Sequence, residues 1–164
     1  MATSSTPAPA AAGFSAAAVD GLAAELRRLL ADAFALYLKT KNFHWHLRGR
    51  HFRDYHLLFD EQAAELLAMT DELAERARKL GAPTLRSVGD IARHQRLADN
   101  DEADVTAARM LTVLREDNER FTAFLRQAHD VCDTYGDIAT ASLIENWVDQ
   151  AERRSWFLRE TSAE

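Results

Sequence analysis

Five side chains between His44 and Glu75 have the chemistry of metal ligands and stand at helical intervals: His44, His56, Asp60, Asp71 and Glu75. His56 and Asp60 are i, i+4 neighbours, as are Asp71 and Glu75, so each pair can aim two ligand atoms at one point above a helix. Two imidazoles with three carboxylates make a mixed nitrogen and oxygen set. Such a set suits Fe(II), Mn(II) or Zn(II), whereas Ca(II) and Mg(II) sites prefer oxygen alone. Carboxylate-rich ligation also stabilises Fe(III), because anionic oxygens favour the higher charge, and this favours oxidation of bound iron.

One straight helix cannot gather all five. Asp60 and Asp71 are three turns apart on one face, which separates them by roughly 16 Å along the axis. Two copies of that helix packed antiparallel about a two-fold axis remove the difficulty, because residues then face each other at a constant sum of numbers. The midpoint of His56 and Glu75 falls between Glu65 and Leu66, and so does the midpoint of Asp60 and Asp71. Ala64 with Leu67, and Ala63 with Ala68, share it too, so small and apolar residues stand where the helices would touch. Two equivalent sites per dimer follow, each built from both subunits. His46, His51 and His94 fall outside this relation and read as ordinary hydrogen-bonding residues.

The elements that must carry these ligands are legible in the periodicity. The chain has six Gly, three Pro and few β-branched residues, and it is rich in Ala and Leu, which points to an all-α protein. Leu22, Leu26, Leu29, Ala33, Tyr37, Thr40 and His44 recur at helical spacing, and Gly49 follows as a stop. Phe52, Phe59, Ala63, Leu66, Thr70, Leu73, Ala77 and Leu80 make a second inward face, closed by Gly81 and Pro83. The connection from Gly81 to Asn100 has room for a short helix over Val88 to Arg93. A third long helix is expected over Glu102 to Cys132, with Asn118 as a polar residue on its inward face. A fourth carries Leu143, Trp147, Ala151, Arg154 and Leu158, with Ile144, Val148 and Phe157 beside them.

Residues 1–13 hold no charged side chain and read as a flexible tail, leaving 14–164 as one domain. A net charge of -6 argues against a general nucleic-acid binder. The single cysteine, Cys132, excludes an intrachain disulfide framework and reads as a small buried apolar residue. No apolar run approaches bilayer-spanning length, and no secretory leader is apparent, so the expected location is cytoplasmic.

The run Asn42-Phe43-His44-Trp45, followed by His56-x3-Asp60 and Asp71-x3-Glu75, resembles the Dps family of ferritin-like mini-ferritins. The resemblance implies a ferritin-like four-helix bundle with a short extra helix in the long crossover between the second and third long helices. It implies a dodecameric shell built from two-fold dimers, with a two-iron ferroxidase centre at each dimer interface. His44, His56 and Asp60 of one subunit would join Asp71 and Glu75 of its partner, with Trp45 beside the iron and Zn or Mn as possible substitutes. The activity implied is oxidation of Fe(II), with hydrogen peroxide as the usual oxidant, and storage of ferric mineral in protection against oxidative stress. It further implies an acidic three-fold pore, for which Asp130, Asp133 and Asp137 are the candidates.

Two other functions compete. A shell that protects DNA mainly by coating it would need a cationic surface. Residues 1–13 contain no Lys or Arg, and Arg153, Arg154 and Arg159 alternate with Glu152, Glu160 and Glu164, so DNA binding is expected to be weak or absent. A monomeric di-iron bundle would carry Glu-x-x-His pairs on two helices, and the chain has no Glu-x-x-His.

Overall fold

Helix boundaries follow from side chains suited to them. In the computed structural model, which describes residues 13–163, the Ser15 hydroxyl accepts from the Ala18 amide at 3.2 Å and opens α1, Ala16–His46. The turn over residues 47–51, with Gly49 at φ +123°, leads into α2, Phe52–Lys79. A short helix α3, Val88–His94, lies in the crossover and packs against α1. Two further long helices follow, α4 over Ala107–Tyr135 and α5 over Ile138–Thr161. No strand occurs among the described residues. The flexible tail expected over 1–13 lies outside them, Gly13 apart.

α1 pairs with α2, and α4 with α5, as two hairpins; α1 also lies against α4, so the hairpins close a four-helix bundle. Leu26, Leu29, Leu36, Phe43, Phe59, Leu66, Leu73, Leu114, Phe121, Leu125 and Trp147 fill its centre. The expected inward faces hold with two departures. Phe52 is exposed because it begins α2 beyond the end of the bundle, and Phe157 lies outward, edge-on to Trp156.

The third long helix departs from its expected bounds at both ends. The Asn100 side-chain oxygen accepts from the Glu102 amide at 3.2 Å and holds the chain in a turn there. Thr106 then caps the helix by accepting from the Arg109 amide at 3.2 Å. At the other end Gly136, left-handed at φ +70°, terminates the helix, and the Asp137 amide returns to the Cys132 carbonyl at 3.0 Å. The helix therefore continues past Cys132 to Tyr135. Gly21 on α1 makes room for that last turn, since a Cβ there would stand 2.8 Å from the Tyr135 ring.

Most polar groups inside the bundle are paired, although Arg154 Nη2 is buried without a hydrogen-bond partner among the described residues. Asn118 accepts from Arg154 Nε at 2.8 Å, which explains a polar side chain on the inward face of α4. Burial pushes the Arg154 guanidinium down to about 10, and Glu65 nearby pulls it back up, so it stays charged at neutral pH. Lys39 on α1 forms a buried ion pair with Asp117 on α4. Asp32, fully buried on α1, accepts from Arg96 N, Arg96 Nε and Leu97 N at 2.6, 2.8 and 3.2 Å, which fastens the crossover to the bundle.

Candidate metal centre

His44 lies in the last turn of α1 and His56 near the start of α2, and the turn between the helices folds the two rings face to face. Their centroids are 3.7 Å apart at an interplanar angle of 19°, and Phe52 stacks on the outer face of His56 at 4.9 Å. Each imidazole is held by the other's backbone: His44 Nδ1 is 2.8 Å from the His56 carbonyl, and His56 Nδ1 is 3.0 Å from the His44 carbonyl. A carbonyl oxygen only accepts, so Nδ1 donates on both rings. In the neutral imidazoles the lone pairs are then both on Nε2, the atoms free to ligate.

Asp60, one turn beyond His56, brings Oδ1 to 3.9 Å from His44 Nε2. Lys41 Nζ donates to the same oxygen at 2.7 Å. That bond, set against a smaller desolvation penalty and helped by the Lys41 charge, holds the Asp60 carboxyl below the usual carboxylate range. Asp60 is thus an ionised, exposed carboxylate facing an imidazole nitrogen. Trp45 is 59% exposed beside it, with Lys41 Nζ 6.0 Å from its ring centroid.

Asp71 and Glu75 do not reach these three groups within one chain. They lie further along the exposed face of α2, with Glu75 paired to Lys79 at 3.2 Å. Between the two sets the same face presents Ala64, Leu67 and Ala68, all exposed, and Leu67 is 45% accessible. Ala63 is buried in the core of its own subunit, because it falls on the inward edge of the helix beside Phe59 and Leu66. It is therefore removed from the expected contact between copies. His46 and His94 bond the carbonyls of Asn42 and Asp90 one turn back, and His51 lies against Tyr55.

The three acids considered for a pore divide. Asp130 and Asp133 are exposed at the end of α4. Asp137 is buried and caps α5: Thr140 N donates to it at 3.0 Å, Arg76 Nη2 at 2.8 Å, and the Thr140 hydroxyl also donates. Burial pushes the Asp137 carboxyl up, but the hydrogen bonds from Thr140 and Arg76 outweigh it and hold the group below the ordinary range. A carboxyl depressed in the folded state adds stability at neutral pH that disappears as pH falls through its folded pKa. Asp137→Asn is accordingly expected to cost about 1–3 kcal/mol at pH 7. The deficit should shrink below about pH 4, as measured by denaturant unfolding across pH.

Several residues of this region carry no obvious mark in the sequence. Lys41 and Phe52 gain their roles from the turn between α1 and α2. His129 stands four residues before Asp133, the spacing that singled out His56 and Asp60, so its signal was available. Glu145, which meets His129 across the α4 and α5 hairpin, had none. Cys132 is buried, and burial with Asp137 and Asp133 nearby pushes its thiol to about 12, as suits a packing residue.

The helix order, the long crossover and the histidine and carboxylate face define a ferritin-like protein, and residues 23–164 match the Ferritin family, described as a ferritin-like domain. The chain is 35% identical over 138 residues to DNA protection during starvation protein 1 of Deinococcus radiodurans, spanning 84% of this chain and 67% of that one. The structure superposes on Dps from Thermosynechococcus elongatus with a TM-score of 0.87 at 31% identity, covering 90% of this chain and 94% of the other. It matches antigen TpF1 of Treponema pallidum with a TM-score of 0.88 at 26% identity, covering 95% and 100%. The chain belongs to the Dps family.

Proposed function

We infer that the protein is a ferroxidase and iron-storage mini-ferritin: it oxidises Fe(II), with hydrogen peroxide as oxidant, and holds the ferric product inside a dodecameric shell. The observation that carries this reading is the reciprocal lock of His44 and His56, which leaves both Nε2 atoms bare and sets that of His44 3.9 Å from ionised Asp60. Three ligands on one chain make half of a centre. Asp71 and Glu75 of a second copy, brought over by the two-fold relation, supply the carboxylates that an iron pair needs.

The charge balance fits the reaction. Two Fe(II) ions facing three carboxylates carry a net charge near +1, and oxidation adds two more positive charges, so anionic oxygens stabilise the product more than the substrate. Each Fe(II) gives one electron to peroxide, which takes up two protons and leaves as water; pairing the two irons avoids release of a hydroxyl radical. Lys41 must give up its Asp60 oxygen as iron arrives, and the Nδ1 bonds keep the imidazoles aimed during turnover. Ferric product passes to acidic surfaces within the shell, Asp130 and Asp133 line the route that admits iron, and Zn or Mn can occupy the same ligands. No helix among the described residues is long and apolar enough to cross a membrane, and with its one cysteine buried we place the protein in the cytoplasm.

Anaerobic loading with Fe(II), then addition of peroxide, tests the activity through ferric absorbance. The expected stoichiometry is one peroxide per two irons without spin-trapped radical; a ratio of one to one with radical release would contradict a paired centre. The name of the Deinococcus relative speaks of DNA protection, whereas residues 1–13 here carry no Lys or Arg. A gel shift at physiological salt should show little DNA retained. Sub-micromolar complexes that survive added salt would favour the DNA-coating alternative.

A further inference from the structure

The hydrogen bond that His56 makes does not by itself aim the ring. Its Nδ1 donates to the His44 carbonyl at 3.0 Å, which fixes one edge of the imidazole but not its plane. The χ2 torsion of histidine is soft, so a ring held at one edge can rock and carry Nε2 away from an ion. His44 blocks that motion on one side, with ring centroids 3.7 Å apart at 19°. Phe52 blocks it on the other, its centroid 4.9 Å from the imidazole at 28°. Half-buried His56 is thus enclosed between two rings. His44 needs no such cover, because at 8% exposure it is already packed within its own subunit.

The turn between α1 and α2 puts the phenyl ring in that place. The Phe52 amide donates to the Gly49 carbonyl at 3.2 Å, so Phe52 opens α2 and stands past the end of the bundle, where no helix faces it. Four residues separate it from His56, the spacing at which side chains on one helix face meet. At 44% exposure the ring adds little to the core, and it lies against the imidazole instead. An apolar cover on a ligand also limits the access of water, which otherwise competes for the ion.

The geometry points to Phe52 as a positioning residue of the metal centre: by closing the stack of His44 and His56 it fixes the direction of His56 Nε2 and shields that imidazole from water. Phe52 touches no ion and acts through His56, so the inference rests on the reading of His56 as a ligand. Its effect belongs on the scale of one aromatic pair, roughly two- to tenfold in metal affinity. That is smaller than the loss expected when a ligand itself is removed.

Two measurements on the full chain test this. One is Co(II) binding without oxygen, where the binding that His56→Ala removes defines the centre. The other is deuterium uptake at the ring carbon between the two nitrogens of each histidine, followed by mass spectrometry, which reports how well each imidazole is covered. Phe52→Leu keeps an apolar side chain but removes the ring. It should weaken Co(II) binding at the centre roughly two- to tenfold and speed uptake at His56 severalfold, with His44 unchanged. Phe52→Tyr keeps the ring and should return both to the parent's values. If Phe52→Leu leaves either quantity unaltered, or Phe52→Tyr fails to restore them, the role given to Phe52 is wrong. Where Phe52→Leu also yields smaller species, uptake is compared with that of Leu67→Glu, whose stack is intact: faster exchange at His56 supports the role, and equal exchange overturns it. If His56→Ala removes no Co(II) binding, His56 is not a ligand, and it is the reading of the centre that fails.

Discussion

Asp71→Ala should slow peroxide-driven ferric formation by at least roughly tenfold, the scale on which even outer-shell partners of a metal alter affinity. The substitution touches nothing that holds the chain together. Asp71 is exposed on α2, has no ion pair among the described residues, and lies about four turns beyond His56 of its own subunit. Its loss should leave the thermal transition and the shell size unchanged. An unchanged melting point with a collapsed rate would place Asp71 among the ligands, although its own chain offers it no partner. Equal rates in variant and parent would remove it from the centre.

Leu67→Glu is expected to have an effect of similar size while leaving every ligand in place. Leu67 is exposed in the single chain, so a glutamate there does not disturb the core. In the two-fold arrangement it faces Ala64 of the other copy and is flanked by Asp60 and Asp71. Burying an unpaired carboxylate on each side of such a contact costs several kcal/mol per ion, which is roughly a hundredfold or more in association. Size measurement should show smaller species, and Fe(II) oxidation should fall to the rate in buffer. A variant that remains assembled and oxidises iron normally would rule out this face of α2 as the subunit contact.

Much of the bundle could be read from periodicity because its helices are long and amphipathic. A 28-residue helix such as α2 repeats its inward pattern for about eight turns, and each turn confirms the previous one. The ends were less legible. Whether α4 begins at Glu102 or Ala107 rests on which of Asn100 and Thr106 captures a nearby amide, and a periodic pattern does not register such single hydrogen bonds. Phe52 fits the inward period of α2, yet at its first turn there is no facing helix to bury it.

The candidate centre divides in the same way. Spacing along α2 was enough to select Asp60, Asp71 and Glu75 and to ask for a second copy. It could not show that the two imidazoles trade backbone carbonyls, since that depends on the path of residues 47–51. Nor could it show that Ala63 serves the subunit core and leaves only Ala64, Leu67 and Ala68 exposed on that stretch of α2. Asp137 illustrates the opposite error: an acid in a helix break suggests an exposed pore lining, but capping α5 and meeting Arg76 draws it inside. Asp130 and Asp133 lack such partners and stay at the surface.

The claim that each centre is divided between two chains is tested most directly by mixing subunits. His56→Ala and Asp71→Ala chains, each inactive alone, are co-expressed in equal amounts and purified as shells. Half of randomly formed dimers pair one of each, and in such a dimer one site collects both substitutions while the other collects neither. About a quarter of the parental rate should therefore return. If mixed shells contain both chains and stay as inactive as either variant alone, His56 and Asp71 act within one chain, and the shared centre is wrong.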